Sequence, residues 1–394
     1  MSDWPTILYF GNDWSAGNRT SSHHIATRLM RDNNVIYIEC PGLRGPQGTK
    51  RDFKKIFSHT FKSVRGPRSI DTKSYVYTLF QLPFHKYRFV RYLNKLIILF
   101  SLKLLIWKFK VKKPILWFVL PHLSSVLGKL NESLSVYYCI DEYSSLPGVD
   151  KSAVQQMDDE MTQKADVVFV SSEPLFKKKE HYGDKVVLSR HGVDFEHFNK
   201  AFHRSEKIPA EIASIEKPII GFFGLIESWI DLDLIKFIAE SRPEWNILMI
   251  GRIGVSQNPC ENISNVHFIG SVPYESLPQY AQIFNVAIIP CVESDLITNF
   301  NPLKLREYLA MGCPVVSTYF PEIEQFSDVV EIADDYNDFV SKIELVLETD
   351  SKQKAERRIE KVRLFSWDNR FKTVTSIVET ALRNKLNQSD RIGN

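Results

Sequence analysis

A lysine and a glutamate lie one helical turn apart in the stretch NFNPLKLREYLAMGCPVVST, residues 299–318. The pattern predicts a helix that Asn301 caps, that carries Pro302 at its first position and that ends at Gly312. Backbone N–H groups at a helix start lack helical partners, and together with the helix dipole they attract anions. A phosphate or diphosphate is therefore expected on the amides from Asn301 to Leu303.

Lys304 and Glu307 fit the same kind of ligand. The Lys304 ammonium supplies a point charge for a phosphate, and Glu307 lies on the same helix face at i+3. A carboxylate at that position accepts hydrogen bonds from two adjacent hydroxyl groups, as on a ribose. The competing interpretation is an ordinary capped helix with a Lys–Glu surface pair that contributes little.

Short apolar runs alternate with helix-like stretches along the chain, which predicts βαβ units with right-handed crossovers. Continuous apolar runs are typical of buried parallel strands, and ligands bind at the carboxyl ends of such strands. The predicted fold is therefore α/β, with two doubly wound Rossmann-like domains. The predicted strands are 7–10, 35–39, 75–79, 115–120, 136–140, 167–171, 186–189, 219–224, 246–251, 266–270, 286–290 and 314–318.

The domain boundary is predicted in the polar stretch 198–217, where no periodic pattern runs long. The predicted domains are residues 1–198 and 199–366, followed by a closing amphipathic helix over 367–394. Phe371, Val374, Ile377, Val378 and Leu382 form its apolar stripe.

The charge is unevenly distributed, although the net charge is only +3. Residues 1–190 contain 29 Lys and Arg against 17 Asp and Glu, whereas the remainder contains 21 against 30. A basic first half suggests an anionic partner. The basic run has no recognised docking motif for nucleic acid, so a nucleic-acid partner is not expected.

Residues 86–113 contain nine Lys and Arg and no acidic residue. The apolar part is too short to span a bilayer. We expect a helix on an anionic membrane surface, with Tyr92, Trp107 and Phe109 at headgroup level. A core helix with solvated lysines is the alternative. The basic residues assigned to the acceptor or membrane side are Arg88, Arg91, Lys95, Lys103 and Lys108.

The five cysteines and the first thirty residues favour a cytoplasmic protein. The cysteines are odd in number and far apart, as expected for reduced thiols, and the amino terminus has no apolar signal-peptide core. The sequence contains no pair of closely spaced metal ligands, so a zinc site is not predicted. Together with the basic segment, this predicts a peripheral protein at the inner face of the plasma membrane.

The run NVHFIGSVPYESLPQYAQIFNVAIIP, followed by NPLKLREYLAMGCPVVST, resembles the donor-binding half of GT-B glycosyltransferases. It is most similar to family 4-like enzymes of bacterial polysaccharide assembly. HGVDFEHF, GFFGLIESWIDLDLI and FSWDNRF resemble further segments of that family, the last being the start of a helix that crosses back to the amino-terminal domain. The resemblance implies a metal-independent hexosyltransferase without a cofactor, whose co-substrate, a nucleotide sugar, binds in a central cleft.

The resemblance assigns donor-site roles residue by residue. Glu307 would hold the ribose, and Asn299 stands where the family has a glutamate that contacts the donor sugar, so the sugar and the stereochemistry stay open. Many relatives carry an Arg and a Lys after the first donor-domain strand, and both are missing here. Lys304, with Arg252, would neutralise the diphosphate, although Arg252 is equally a solvent-facing loop residue. The backbone around Val272 would meet the base.

Asp141 is the first candidate for the base that an inverting reaction requires. It ends the strand VYYCI, with Glu142 as its neighbour, and the alternative is that it caps the next turn. His24 and His122 are further candidates, and His24 is equally an ordinary helix residue. If the reaction is retaining, Asp141 only orients the acceptor.

The predicted function is transfer of a sugar, with UDP favoured over GDP as the donor nucleotide, to a lipid-linked or polysaccharide acceptor. The donor would bind the acidic second half and the acceptor the basic first half, in the synthesis of exopolysaccharide, capsule or another cell-surface glycan.

A GT-B nucleotide-sugar epimerase and a non-catalytic nucleotide-binding homologue are the alternatives. A dinucleotide-dependent oxidoreductase would need a G-x-G-x-x-G spacing that Gly11–Gly17 does not provide. The D-x-D sequence at 231–233 begins a helix-like stretch, where acids favour the dipole, so no metal site is assigned.

Overall fold

The computed structural model describes residues 4–15, 19–40, 42–43, 61–63, 65–82, 87–203 and 207–392. The chain forms two compact units. Unit 1 comprises Met1–Arg190 and Phe371–Asn394, and unit 2 comprises His191–Arg370. Each unit contains one sheet with helices, so the predicted α/β class is confirmed.

Unit 1 contains an eight-stranded sheet in the order β3-β4-β2-β1-β5-β6-β7-β8. The pairs are parallel, except that β3 runs antiparallel to β4 at one edge. The strands are β1 (Ile7–Gly11), β2 (Val35–Glu39), β3 (Arg68–Ser69), β4 (Ser74–Thr78), β5 (Ile115–Phe118), β6 (Leu134–Cys139), β7 (Val167–Val170) and β8 (Val186–Leu188). The helices before the unit boundary are α1 (Ser21–Asp32), α2 (Arg88–Lys108), α3 (Lys151–Lys164) and α4 (Glu173–Lys179).

Unit 2 contains a six-stranded parallel sheet in the order β11-β10-β9-β12-β13-β14. The strands are β9 (Ile219–Phe223), β10 (Asn246–Ile250), β11 (Val266–Gly270), β12 (Val286–Ile289), β13 (Val315–Thr318) and β14 (Glu331–Ala333). The helices are α5 (Phe195–Phe202), α6 (Leu232–Ser241), α7 (Leu277–Ala281), α8 (Asp295–Thr298), α9 (Leu303–Ala310), α10 (Tyr336–Thr349) and α11 (Lys352–Arg363). This order reverses between β9 and β12, the switch point at which doubly wound sheets bind ligands.

The closing helix α12 (Trp367–Ile392) begins in unit 2 and belongs to unit 1 from Phe371 onward. Val374, Val378 and Leu382 of its predicted stripe are buried. Lys385 pairs with Asp166 of unit 1 at 2.5 Å. The last part of the chain is therefore part of the core of the first unit.

Candidate active site

Helix α9 lies beside the switch point of unit 2, between β12 and β13 in the chain. It begins at Leu303, with Pro302 at the cap position and no side-chain cap. The prediction that Asn301 caps this helix, with Pro302 at its first position, is therefore wrong. Gly312 follows the helix with a φ of +68°, which confirms the predicted end.

Asn301, which lies just before α9, binds an arginine of that helix instead of a backbone amide. Its Oδ1 accepts a hydrogen bond from Arg306 Nη1 at 2.6 Å. The Arg306 side chain is fully buried, with its guanidinium carbon 5.2 Å from the Phe326 ring centroid and 5.6 Å from that of Phe365. A buried guanidinium requires acceptors, which explains why Asn301 turns toward it.

Lys304 extends over the carboxyl end of β9. Its Nζ lies 4.5 Å from the ring centroid of Phe222, and a Cβ at Gly224 would lie 3.0 Å from its Cε and Nζ. Burial lowers the pKa of Lys304, while Cys291 and Glu307 oppose this effect. Within the part of the chain that the structure describes, the ammonium makes no hydrogen bond or ion pair. A half-buried cation thus lies where doubly wound sheets bind ligands.

Glycines line the strand ends below this lysine. Gly251, just after β10, has a φ of +149°, and a Cβ there would lie 1.8 Å from the Gly224 carbonyl oxygen. No side chain fits at such an approach, so the edge beside Lys304 is bare backbone. Gly251 therefore packs closely on the Gly224 backbone, and Gly224 on the Lys304 side chain.

Glu307 is 8% exposed, and burial raises its pKa from 4.5 to about 8. The Lys304 charge opposes the shift, whereas the Asp194 carboxylate adds to it. Among the described residues, no donor forms a hydrogen bond or ion pair with the Glu307 carboxylate. The oxygens can therefore accept hydrogen bonds from a ligand.

Arg252 follows β10 and pairs with Glu227, Nη2 to Oε1, at 3.3 Å. Its side chain is 41% exposed. The two loops are also joined through the backbone, since Gly254 N donates to Ile226 O at 2.7 Å. Arg252 therefore lies beside the glycine edge, with its charge partly neutralised.

Asn299 and Val272 are the remaining predicted donor residues. Asn299 is buried, and its Nδ2 donates to Asp295 O at 2.6 Å, which closes α8. Val272 is half-buried in the loop after β11, and the next residue but one, Tyr274, accepts a hydrogen bond from His197 Nε2 at 3.0 Å through its carbonyl. Neither Asn299 nor Val272 bonds to Lys304 or Glu307 within the described ranges.

Asp141 of unit 1 follows β6 and is half-buried. Burial raises its pKa to about 7, and the neighbouring Glu142 charge adds to the shift. In the described part of the chain its carboxylate forms no hydrogen bond, so the alternative of a capping role is wrong. Glu142 is instead held by Lys178 at 2.9 Å and by Ser144 at 2.7 Å. Of these neighbouring acids, Asp141 alone is left able to bind a ligand.

The histidine candidates lie in the same unit. His24 is 7% exposed on the first turn of α1, and its neighbour His23 takes part in the capping box with Thr20. His122 lies in the 3-10 helix Pro121–Val126. The structure does not bring His24 into contact with Asp141 within the described residues.

Asp231 of the D-x-D sequence has hydrogen-bond partners within the fold. Asp231 caps α6 by accepting from Leu234 N at 2.9 Å, and it also accepts from Tyr336 OH at 2.9 Å. Across the described ranges, no group of three His, Cys, Asp or Glu side chains could hold a metal ion.

The family is decided by residues 217–349, which match the model of glycosyl transferases group 1 and lie within unit 2. Residues 217–349 are thus a glycosyl transferases group 1 domain. The predicted family is thus confirmed for the domain that carries Lys304 and Glu307. The chain is 26% identical over 253 residues to the putative teichuronic acid biosynthesis glycosyltransferase TuaH of Bacillus subtilis. That match covers 59% of this chain but only 63% of the relative's length.

Solved structures extend the likeness of fold to nearly the whole chain. HepE of Anabaena in complex with UDP and glucose has a TM-score of 0.65 at 10% identity, over 95% of this chain and 99% of that one. The trehalose 6-phosphate synthase of Burkholderia multivorans has a TM-score of 0.67 at 11% identity, over 99% of this chain and 100% of the other. The group 1 domain is therefore one of two Rossmann-like units in a GT-B fold, as predicted.

Sequence reasoning missed four residues of the group 1 site. Gly224 and Gly251 were visible as glycines at the ends of two predicted strands, which is a usable signal. Phe222 and Asp194 gave no such signal, because their proximity to Lys304 and Glu307 depends on tertiary packing.

Proposed function

We propose that the chain transfers a sugar from a nucleotide-diphosphate donor, most simply a UDP-sugar, to a glycan acceptor. The observation that carries the proposal is the pair Lys304 and Glu307, two ionisable groups without partners in the described residues, on a group 1 glycosyltransferase domain. The naming of UDP rests on the solved relatives with UDP and with UDP-glucose.

The donor diphosphate binds at the first turn of α9, beside the Lys304 ammonium. The backbone N–H groups of Asn301 and Leu303 face the phosphates, and Pro302, which has no N–H, lies between them. As the bond from the anomeric carbon to the diphosphate breaks, negative charge grows on the leaving oxygen, and Lys304 stabilises it. Arg252 adds a weaker, solvent-screened charge.

Glu307 binds the ribose of the donor by accepting hydrogen bonds from its two hydroxyl groups. The backbone at Val272 meets the base, and Asn299 faces the donor sugar. Since a charged carboxylate is the better acceptor, ribose binding favours the ionised form of Glu307.

Asp141 takes the proton of the acceptor hydroxyl when the acceptor oxygen bonds to the anomeric carbon. A carboxyl group with a pKa of about 7 is ionised often enough at neutral pH to act as this base. His24 is the second candidate for the same step.

The acceptor is a lipid-linked or polysaccharide glycan of the cell surface, and the protein works at the inner face of the plasma membrane. The relative named for teichuronic acid biosynthesis supports a polysaccharide product. The excess of basic residues in the first 190 residues supports an anionic acceptor or surface.

Calorimetric titration of UDP, GDP and ADP into the full chain tests the donor site. We expect UDP to bind, and Glu307→Ala to weaken binding by about 1–3 kcal/mol, the usual loss for a hydrogen bond to a charged group. The control is Glu348→Ala, an exposed acid on α10. If no nucleotide binds, or if both variants behave alike, the donor site is refuted. Turnover of a UDP-sugar to an isomer without any acceptor would favour the epimerase.

A further inference from the structure

Helix α2 of unit 1 is apolar on two opposite faces. Its inner face is buried in the unit through Ile98, Leu102 and Leu105. Asn94 fixes this face, since its side chain accepts from Leu82 N at 2.7 Å and donates to Leu82 O at 3.0 Å. The inner face thus already has its tertiary partners.

The outer face presents large apolar side chains to solvent at intervals of three or four residues. We call these residues the outer stripe. Phe89, Phe100 and Trp107 of the stripe are 71%, 72% and 76% exposed. It comprises Phe89, Tyr92, Leu96, Phe100, Leu104 and Trp107.

The spacing places the outer stripe along one side of the helix for about 27 Å, at 1.5 Å per residue. Exposed apolar residues that stand singly need no explanation, but a continuous row marks an interaction surface. Tyr319, Leu345 and Leu364 of unit 2 are also exposed, but they lie on separate elements. The stripe is therefore a feature of α2 that folding of the unit does not require.

Basic side chains accompany the stripe. Residues 86–113 carry nine Lys and Arg without one acid. Lys103 and Lys108 are exposed, Lys95 is half-buried, and Lys110, Lys112 and Lys113 continue the run as exposed residues. The side chains of Arg88 and Arg91 lie outside the described residues. Apolar residues among cations fit a surface that is anionic outside and apolar below.

Phe109 was predicted at headgroup level, but it packs on Tyr75 with a centroid distance of 4.6 Å. Trp107 and Tyr92 are exposed as predicted. Within the described residues, no helix is long and apolar enough to cross a membrane. Any contact of α2 with lipid therefore runs along the surface of the bilayer.

We propose that the outer stripe inserts into the headgroup region of an anionic bilayer, with α2 parallel to the membrane plane and its inner face still packed on unit 1. The inference deepens the proposed membrane location, on which it rests, by naming the residues that enter the lipid. A second copy of the chain fits the stripe less well, because two such helices would bring like charges together.

Vesicle co-sedimentation of the full chain tests the insertion. The probes are phosphatidylcholine vesicles with and without phosphatidylglycerol. We expect binding to the anionic vesicles, and a loss of at least tenfold in the Phe100→Ser/Trp107→Ser variant, since two large apolar side chains then no longer leave water on binding. The matched control is Leu345→Ser/Leu364→Ser, which should bind as the wild type does.

A second variant separates charge from apolar insertion. Lys95→Gln/Lys103→Gln/Lys108→Gln should weaken binding to anionic vesicles and make the remainder less sensitive to salt. Equal binding of wild type and Phe100→Ser/Trp107→Ser would overturn the proposal. So would equal binding to neutral and anionic vesicles.

Two further measurements keep the outcomes distinct. Sedimentation velocity without lipid should show no self-association, and a dimer that Phe100→Ser/Trp107→Ser dissolves would assign the stripe to a second copy instead. Circular dichroism and thermal unfolding of the same variants should match the wild type, which shows that unit 1 is still folded. If the wild type binds vesicles but no nucleotide, the proposed function fails while the lipid surface stands.

Discussion

Each unit holds a lysine beside a buried carboxyl group, with Lys179 buried and Lys304 half-buried, and the two pairs differ in their bonding. In unit 1, Lys179 bonds directly to Asp158. In unit 2, Lys304 and Glu307 lie within electrostatic range of each other but form no ion pair. The comparison separates a pair that completes a core from a pair that is left able to bind a ligand.

The unit 1 pair has all its main partners within the protein. Lys179 Nζ also donates to Thr162 Oγ1 at 3.0 Å, and Asp158 accepts from Tyr137 OH at 2.6 Å. Although burial alone lowers the pKa of Lys179, Cys139 and Asp158 raise it, and the balance is a raised value. This lysine is a stable cation that ties α4 to α3.

The unit 2 pair shows the opposite pattern. Burial lowers the pKa of Lys304 and raises that of Glu307, so burial disfavours the charged form of each group. A ligand with a diphosphate and a ribose would supply a partner to both. Burial alone therefore does not mark a binding site, and buried ionisable groups without bonded partners are the better candidates.

Removing Asp158 should have the largest effect. We expect Asp158→Ala to destabilise unit 1 by about 3–5 kcal/mol, because Lys179 would stay buried without its counter-ion. Denaturant unfolding followed by tryptophan fluorescence measures this. Asp159→Ala, the half-buried neighbour, should cost far less, and equal losses would remove the distinction between the pairs.

Replacing Lys304 should act on catalysis rather than on folding. Lys304→Met should slow UDP release from a UDP-sugar by about 10²–10³-fold, the range for losing one preorganised group that stabilises transition-state charge. Unfolding of unit 2 should be unchanged or slightly harder, because a costly buried cation is removed. Lys236→Met is the control, since this half-buried lysine on α6 has a side chain that is 44% exposed. If Lys304→Met unfolded unit 2, the Lys304–Glu307 pair would be needed for folding, as the Lys179–Asp158 pair is.

Glu307 should make the stability of unit 2 depend on pH. Its folded pKa of about 8 exceeds the ordinary 4.5, so the folded state binds more protons between these values. The stabilisation is complete below pH 4.5 and is lost as pH rises toward 8, by up to about 1.4 kcal/mol per pH unit. Thermal unfolding from pH 5 to 9 measures the slope, which Glu307→Gln should reduce. An identical slope in the variant would contradict the assignment.

Arg252 should give the smallest effect. Because its exposed guanidinium already pairs with Glu227, Arg252→Ala should weaken UDP binding by less than about 1 kcal/mol. Titration at low and high salt measures it, with Arg242→Ala, paired with Glu344 elsewhere in unit 2, as the control. If Arg252→Ala weakened UDP binding as much as Lys304→Met does in the same titration, Arg252 would be a main diphosphate ligand.

Most of the described strands follow from residue pattern. Each predicted apolar run overlaps a strand, because buried parallel strands must be apolar on both faces. Only β3 and β14 were missed among the described strands, since neither Arg68–Ser69 nor Glu331–Ala333 is a continuous apolar run. The helix of residues 303–310 and its end at Gly312 also follow from the local sequence, because residue type and the positive φ of the glycine decide them.

Tertiary structure alone decided the partners of the polar residues. Asn301 looked like a cap, but Arg306 is buried against Phe326 and Phe365, and that distant packing claims its oxygen. The sequence could name Lys304 and Lys179 as lysines near acids, but it could not tell which one is bonded. Hydrogen bonds depend on distances of a few tenths of an ångström between elements far apart in the chain, and only the packed fold sets those distances.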